Sequence, residues 1–567
     1  MKRVLFRSIA WTILMTLAGS SAVTGEELVG QMKKIDWLRG YWKGTIGVSK
    51  KTACQARVTV GKEGPVLTYQ LEANKKVRFE ANISFDPERK EYRLAWKSDD
   101  LGAFEAGGTL EASDRELVFW RRPKNATTPT IRLVWEKSGK GHHKLRVRVD
   151  RGMGPRLELS THLSRVPAPP KPPKPLEATA RDDSPSPLAS YRAQRTKLLS
   201  KYGGQGTREA VDRGLRWLAN HQDPETGAWC GEDFQARCHG WNTCQGKADS
   251  PKYDVGQTGL ALLAFLAGGE THQNGSYQKT VKRGIKYLIG QMDETVFADL
   301  SAKYKKLLKG CIGPAKGHFM YNHAIATNAL IEAYDLTGDP SLKTPATRAL
   351  EFLLRAQNPG FAWRYNVQPG DNDTSVTGWA TEALLAGKRA GFLIPENPFA
   401  GARKWFDSVT DDQYYRTGYC SKGDRGARHK GQVGKFSMAE ACTAISLAYR
   451  ASHGEDLEGR TIRGQSDLLL SSLPDWNPKG GPGGTSKIDF YYWYHGTRAT
   501  FFVGGDAWDR WNPAVKQALL NHQRSEEKRC EAGSWDPVGA WGSAQGRVGT
   551  TSLALLTLQI YHRHPRK

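Results

Sequence analysis

The sequence predicts two architectures in one chain, an all-β barrel or sandwich followed by an all-α (α/α)6 toroid of six helical hairpins. Three observations carry this reading. A polar amphipathic helix, a Gly/aromatic turn and a more apolar helix recur six times between Arg208 and His564. Short, largely alternating apolar strands run from Trp37 to Leu163 with no helical stretch between them. A proline-rich separator, Val166 to Pro175, stands between the two regions. Internal repetition decides architecture first, because a lone hairpin leaves its apolar face in water and must stack on neighbours.

In chain order, the N-terminus comes first. Lys2, Arg3 and Arg7 precede an apolar run from Ile9 to Ala18 and small residues up to Ala22, which predicts a secretory signal peptide over residues 1–25. The run is too short to span a bilayer, and no later stretch is apolar enough to do so. The mature protein is therefore expected to be soluble and exported, to the periplasm, the cell envelope or the medium. Eighty-two Lys and Arg against 58 Asp and Glu leave a net charge of +24 in 567 residues. Outside the cytosol this points to anionic partners such as acidic polysaccharide, envelope components or phospholipid. The densest basic run is Lys303 to Lys309. Nucleic acid is excluded as a partner by the export signal and the lack of any recognition motif. Oligomeric state is not legible.

The β region is assigned to residues 30–165. Tyr92–Trp96, Leu117–Trp120, Ile131–Trp135, Leu145–Val149 and Leu157–Thr161 alternate apolar and polar residues and are separated by Gly/Asp/Pro turns. Regular antiparallel strands without helices make a sandwich or barrel. The opening Trp37-Leu-Arg-Gly40-Tyr-Trp42-x-Gly44 resembles the start of lipocalin-like barrels, a resemblance that implies a small apolar ligand. His162, alone on the last strand, is read as structural and not as a haem ligand. The domain is given no chemistry and is expected to serve packing or targeting. Residues 166–190 form a stiff, then polar, linker.

The toroid is assigned to residues 191–567. Its first-helix pattern reads Arg213-Gly214-x-x-Trp217-Leu218-x-x-x-Gln222 followed by Gly227-x-Trp229. It recurs as Arg283-Gly284-x-x-Tyr287-Leu288 with Gln291, as Phe352-Leu353-x-x-x-Gln357 with Gly360 and Trp363, and as Ala518-Leu519-x-x-x-Gln523 with Gly533-x-Trp535. Second helices are expected to begin near Asp254, Asn322, Asp373, Phe436, Asp489 and Val548; being rich in Ala, Leu and small residues, they belong inside the ring. The ordinary role of Asp254, Asp373 and Asp489 there is to cap helix N-termini. One or two disulfides are expected among Cys230, Cys238, Cys244, Cys311, Cys420 and Cys530, with the pairing open, and Cys442 is read as a core residue. No metal site is assigned, because Cys230, Cys238 and Cys244 are spaced like no compact zinc ligand set.

The repeated Arg-Gly-x-x-aromatic-Leu-x-x-x-Gln…Gly-x-Trp element resembles the repeats of squalene cyclases and of protein prenyltransferase β subunits, over Arg208 to His564. Tyr321-Asn-His-Ala-Ile-Ala-Thr, Asp373-Thr-Ser-Val-Thr-Gly-Trp379 and Asp489-Phe-Tyr-Tyr-Trp-Tyr look like exported planctomycete-type members of that terpenoid-cyclase-like family. Prenyl-transfer zinc chemistry does not carry over. Asp489 matches the family's Asp ligand, but Tyr491 stands for its Cys and Gly549 for its His, and zinc cannot be held by what is left. The cyclase acid motif is partly kept: Asp371 and Asp373 match its first two acids and Thr374 falls on the third. The resemblance thus implies Asp373 as general acid, with Trp379 and the run Tyr491, Tyr492, Trp493, Tyr494 stabilising a cation.

Three functions stay open. The one favoured is a binding protein whose toroid takes an apolar or amphipathic ligand or an envelope partner, with Tyr253, Trp379, Asp489, Tyr491, Tyr492, Trp493 and Tyr494 lining the site. The first alternative is an isoprenoid cyclase using Asp373. The second is a toroid acting on anionic glycans as a lyase or hydrolase, with His323, Asp373 and Asp489 as acid/base groups and Arg364 or Arg498 as carboxylate clamps. No cofactor is implied by any of them.

Overall fold

The structure, a computed structural model, describes the strands between residues 40 and 166, residue 197, and residues 203–239, 242–250, 253–292, 307–424, 435–436, 439–526 and 529–564. The expected signal peptide, most of the linker and the Lys303–Lys306 part of the basic run lie outside them. The chain divides into two compact units, Met1–Pro169 and Pro170–Lys567.

In the first unit ten strands, from β1 (Gly40–Gly47) to β10 (Leu157–Val166), pair antiparallel in sequence order. β1 pairs with β10, Gly44 opposite Leu163, so the barrel closes and leaves no edge strand. Ile83, Leu94, Phe119, Leu133, Trp135 and Leu145 are buried, and Phe119 meets Trp135 edge to face at 5.8 Å. Strands such as Gly102–Glu111 escape alternation analysis because glycines and charges interrupt their apolar face. The side chain of His162 lies outside the described residues.

The second unit is the toroid. Outer helices are α1 (Gln205–Asn220), α3 (Gln278–Gly290), α5 (Pro340–Ala356), α7 (Asn397–Val409), α9 (Arg460–Leu470) and α11 (Gly505–Leu520). Inner helices are α2 (Asp254–Ala267), α4 (Phe319–Thr337), α6 (Thr374–Arg389), α8 (Ala441–Ser452), α10 (Phe490–Val503) and α12 (Gly542–Leu558), and α13 (Ile560–Arg563) follows. Each inner helix packs on the next, and α12 packs on α2, which closes the ring. In α2 every residue from Val255 to Ala267 is buried, whereas α1 and α3 are strongly amphipathic; an element apolar all round belongs inside.

The repeated motif is the joint between consecutive hairpins. Gln222 donates from Nε2 to the carbonyls of Gly227 (2.9 Å) and, in the next hairpin, Thr280 (2.9 Å), while its Oε1 accepts from Arg283 of that hairpin at 3.1 and 2.9 Å. Gln357 repeats the donor half to Phe361 and Pro398. The last hairpin joins the first in the same way: Gln523 donates to Gly533 (2.8 Å) and Ala210 (2.7 Å) and accepts from Arg213 at 3.2 and 2.7 Å. The motif tryptophans lock each turn. The indole N–H of Trp229, Trp363 and Trp535 donates to Leu218, Leu353 and Leu519 carbonyls at 2.8 Å, and their backbone N–H groups reach Thr258, Thr377 and Thr551 on the inner helices. Gly533 has φ +92°, and a Cβ there would lie 2.4 Å from the Arg213 carbonyl oxygen, so the seam requires glycine.

All seven described cysteines, Cys230, Cys238, Cys244, Cys311, Cys420, Cys442 and Cys530, are unpaired, so the expected bridges are absent among the described residues.

Gln523→Ala strands two buried carbonyls and one guanidinium at the seam, and should cost about 1–3 kcal/mol of unfolding free energy. Urea denaturation checks this against Gln278→Ala on an exposed helix start; equal losses in the two variants would refute the seam's role.

Candidate functional site

Because each inner helix follows an outer one, the inner N-termini gather at one end of the ring, and there polar side chains converge. Asp373 caps α6: its Oδ1 accepts from the Val376 N–H at 2.7 Å, and the residue is fully buried. Burial pushes its carboxyl up to about 7, against the opposing pull of the Val376 N–H, the Arg364 charge, the Ser375 N–H and the Tyr419 hydroxyl. A carboxyl in that range is substantially protonated at neutral pH.

Four tyrosines surround it. Tyr365 and Tyr419 share a short hydroxyl–hydroxyl hydrogen bond. Tyr491 meets the Ser375 hydroxyl at 2.5 Å, and Tyr321 lies against the same serine and close to Asp373. The loop carrying Tyr419 is pinned from both sides. Thr374 donates from its N–H to the Tyr419 carbonyl (3.0 Å) and from its hydroxyl to that of Gly418 (2.6 Å); the Asp424 carboxylate accepts from the N–H groups of Tyr419, Cys420 and Ser421. Arg364 lies over the Tyr365 ring at 4.8 Å, 3.1 Å from the Cys420 sulfur and 3.4 Å from the exposed Asp371 carboxylate. His318 stacks on the same Tyr365 ring, with centroids 3.8 Å apart. Deeper, Trp379 stacks on Tyr494 and meets His495 edge-on.

Below this mouth the lumen holds ions. Arg563 reaches Glu332 (2.7 Å), Glu382 (3.2 Å) and the Tyr494 hydroxyl (2.9 Å), and Arg498 pairs with Glu382 at 3.0 Å. All five side chains are buried, and two cations face two carboxylates. Burial works against the Arg563 charge, but Glu332, Tyr494 and Glu382 hold its pKa above the usual range.

The predicted residues therefore separate. Asp371, Asp373, Arg364 and Tyr491 meet at the mouth, with Trp379 deeper, its ring centroid 6.4 Å from that of Tyr491. His323 does not: it is fully buried in the wall, one ring nitrogen accepting from the Ile312 N–H (3.1 Å) and the other 3.1 Å from the Ala349 carbonyl and the Thr327 hydroxyl. Burial drives its pKa down to about 3, so it is a neutral packing residue and not an acid/base group. Asp489 caps α10 through the Tyr492 N–H. Tyr492 points to the outer layer, donating to the Ser472 carbonyl, and Trp493 packs on Trp476 and Phe490; neither lines the mouth. Tyr494 and Arg498 belong to the ion cluster, which removes Arg498 as a carboxylate clamp. Tyr253 sits immediately before α2, half-buried. Tyr365, Tyr419 and Ser375 were missed as site residues, because isolated loop tyrosines carry no spacing signal.

The chain matches no family profile and no curated protein. Solved structures similar to it include an inactive variant of an α-1,6-mannanase of Salegentibacter sp. HEL1_6 in complex with α-1,6-mannotriose, at TM-score 0.39 and 13% identity over 63% of this chain and 100% of that one. A cellobiose 2-epimerase of Spirochaeta thermophila DSM 6192 gives TM-score 0.40 and 13% identity over 66% and 97%. A polysaccharide lyase gives 0.33 and 9% over 86% of each chain. The resemblance to squalene cyclases and prenyltransferases is corrected by these comparisons, which return carbohydrate-acting proteins in its place. The structure supplies the reason: the Arg, Gln, Gly and Trp of the repeat are spent on joining hairpins, so they report a helical ring and no particular chemistry.

Asp373 ionises near 7 when folded and near 3.9 when unfolded, so the unfolded chain binds fewer protons between those values. Its contribution to stability is full below about pH 4 and is lost as pH rises to about 7. Asp373→Asn keeps a capping oxygen and should flatten that part of the slope in urea titrations run from pH 4 to 8; an unchanged slope would show that the carboxyl ionises normally. In the lumen, Arg563→Met leaves two buried carboxylates with one cation and should cost about 3–5 kcal/mol by the same measurement.

Proposed function

We propose that the toroid binds and cleaves an anionic polysaccharide at the tyrosine-lined mouth, in an exported protein. The observation that carries this reading is Asp373, a buried carboxyl raised to about 7 beside Arg364 and a set of hydroxyls. A protonated carboxylic acid can deliver its proton to a glycosidic oxygen as the C–O bond breaks. Arg364, stacked and partly exposed, can pair with a uronate carboxylate in the fork geometry that suits it. Tyrosine and serine hydroxyls supply donors and acceptors for sugar hydroxyls, and the His318–Tyr365 stack supplies a flat face. In a hydrolytic reaction Asp371 is the neighbouring carboxylate available to take a proton from water; in an elimination the chain cleaves without water. A net charge of +24 favours encounter with a polyanion.

Against an apolar ligand in the ring count the buried charges of Glu332, Glu382, Arg498 and Arg563. The β barrel is assigned a packing or targeting role.

Incubation of the whole protein with polygalacturonate, alginate and glycosaminoglycans tests the proposal. Elimination is read from ultraviolet absorbance of the unsaturated end, hydrolysis from reducing ends without it. Asp373→Asn is expected to lower kcat about 10²–10⁴-fold, and Arg364→Ala to raise KM for charged substrates. Absence of both binding and turnover with every one of these acidic polymers would overturn the assignment.

A further inference from the structure

At the seam of the ring lies a second constellation that the glycan reading does not use. His221 ends α1, Cys238 closes the short 3-10 helix Phe234–Arg237, Cys244 follows in the same loop, and Cys530 comes from the loop between α11 and α12. One ligand-capable atom from each, His221 Nε2 and the three sulfurs, lies within 4.8 Å of all the others. His221 Nε2 is 3.3 Å from Cys530 Sγ, 3.7 Å from Cys244 Sγ and 3.8 Å from Cys238 Sγ. We propose that these four residues bind one structural zinc ion that fastens the first hairpin to the last.

The distances are those such an ion needs. With zinc–sulfur bonds of about 2.3 Å and a zinc–nitrogen bond of about 2.0–2.1 Å in a tetrahedron, nitrogen and sulfur stand about 3.6 Å apart. The three nitrogen–sulfur separations bracket that value. The imidazole is also turned for the task. Its Nδ1 lies 2.8 Å from the Trp217 carbonyl, which fixes the proton on Nδ1 and leaves the Nε2 lone pair facing the sulfurs. Stacking on Trp217, with centroids 4.2 Å apart, holds the ring in that plane. Two sulfurs receive backbone N–H groups, Cys238 from Cys244 at 3.3 Å and Cys530 from His239 at 3.1 Å, the arrangement that steadies thiolates. His239 touches Cys530 with Nδ1 at 3.6 Å, but its other nitrogen pairs with Asn220 on the exposed side, and it stands outside the four.

Three cysteines and one histidine at four corners leave no open position, which is the signature of a structural site. Thiolate and imidazole donors in that geometry select zinc over harder cations. The site was invisible in sequence because Cys530 lies 309 residues from His221, and the spacings of Cys230, Cys238 and Cys244 include a cysteine that is not a ligand. Cys230 instead hydrogen-bonds the Asp254 carboxylate.

The test is metal analysis of the purified whole chain by inductively coupled plasma mass spectrometry, together with thiol counting after denaturation. About one zinc per chain is expected, retained through dialysis and released by a strong chelator with a fall in Tm. Cys244→Ser and Cys530→Ser should each reduce bound zinc at least about tenfold, and Cys311→Ser, at a buried cysteine outside the set, should leave it intact. Since a seam variant that fails to fold would also lack metal, cobalt exchange into the wild type gives an independent reading: tetrahedral visible bands with sulfur-to-cobalt charge transfer. Wild-type protein with no bound metal, whether its three cysteines are free or two of them are joined in a disulfide, overturns the proposal.

Discussion

The structure depends on one side-chain joint. Gln222, Gln357 and Gln523, at the ends of three outer helices, each satisfy two backbone carbonyls, one in their own turn and one in the next hairpin, and the oxygens of Gln222 and Gln523 accept the next hairpin's arginine. No single hairpin can bury its apolar face, so stability comes from neighbour contacts, and an open row of hairpins would leave two apolar ends in water. The joint between Gln523 and Arg213 removes both ends at once. Gly533, at a positive φ and against the Arg213 carbonyl, lets the two hairpins approach closely enough for it to form.

Ring closure has chemical consequences at both levels of the lumen. It collects the N-termini of the inner helices at one end, where Asp373 and Asp489 each accept a helix N–H, and burial raises the Asp373 carboxyl to about 7. It also brings Glu332, Glu382, Arg498 and Arg563 together from separate elements, a neutral cluster that substitutes ion pairs for an apolar plug. A ring lined by apolar side chains alone would suit a hydrocarbon guest; this one carries hydroxyls, a guanidinium and a buried carboxyl at its mouth. The proposed zinc ion stands at the same seam as Gln523 and would be a second, chemically unlike fastening of the first hairpin to the last.

Much of the ring was legible in the chain. Gln222, Gln357 and Gln523 with their glycines and tryptophans marked the hairpin turns, and the Ala/Leu-rich segments marked the inner layer, because packing periodicity is written into residue type. The same motif misled on family, since it encodes how hairpins meet and says nothing about the residues at the mouth. At the site, Asp373 was singled out by its place at an inner-helix start and by the cyclase acid motif, and Arg364 as a carboxylate clamp with no motif behind it. His323, Asp489 and Arg498 were offered beside them as acid/base groups and a clamp. Their side-chain directions decided otherwise: His323 turns into the wall, Asp489 is spent on a cap and Arg498 on Glu382.

The sequence by itself determined a β unit, a separator and a six-hairpin helical ring, because strand alternation, proline content and helical repetition are local properties. Tertiary structure alone decided which tyrosines gather around Asp373, which charges neutralise each other in the lumen, and that His221 and Cys530 meet. Those choices depend on ring closure, which brings residues hundreds of positions apart within hydrogen-bonding distance, and no local pattern records a contact of that range.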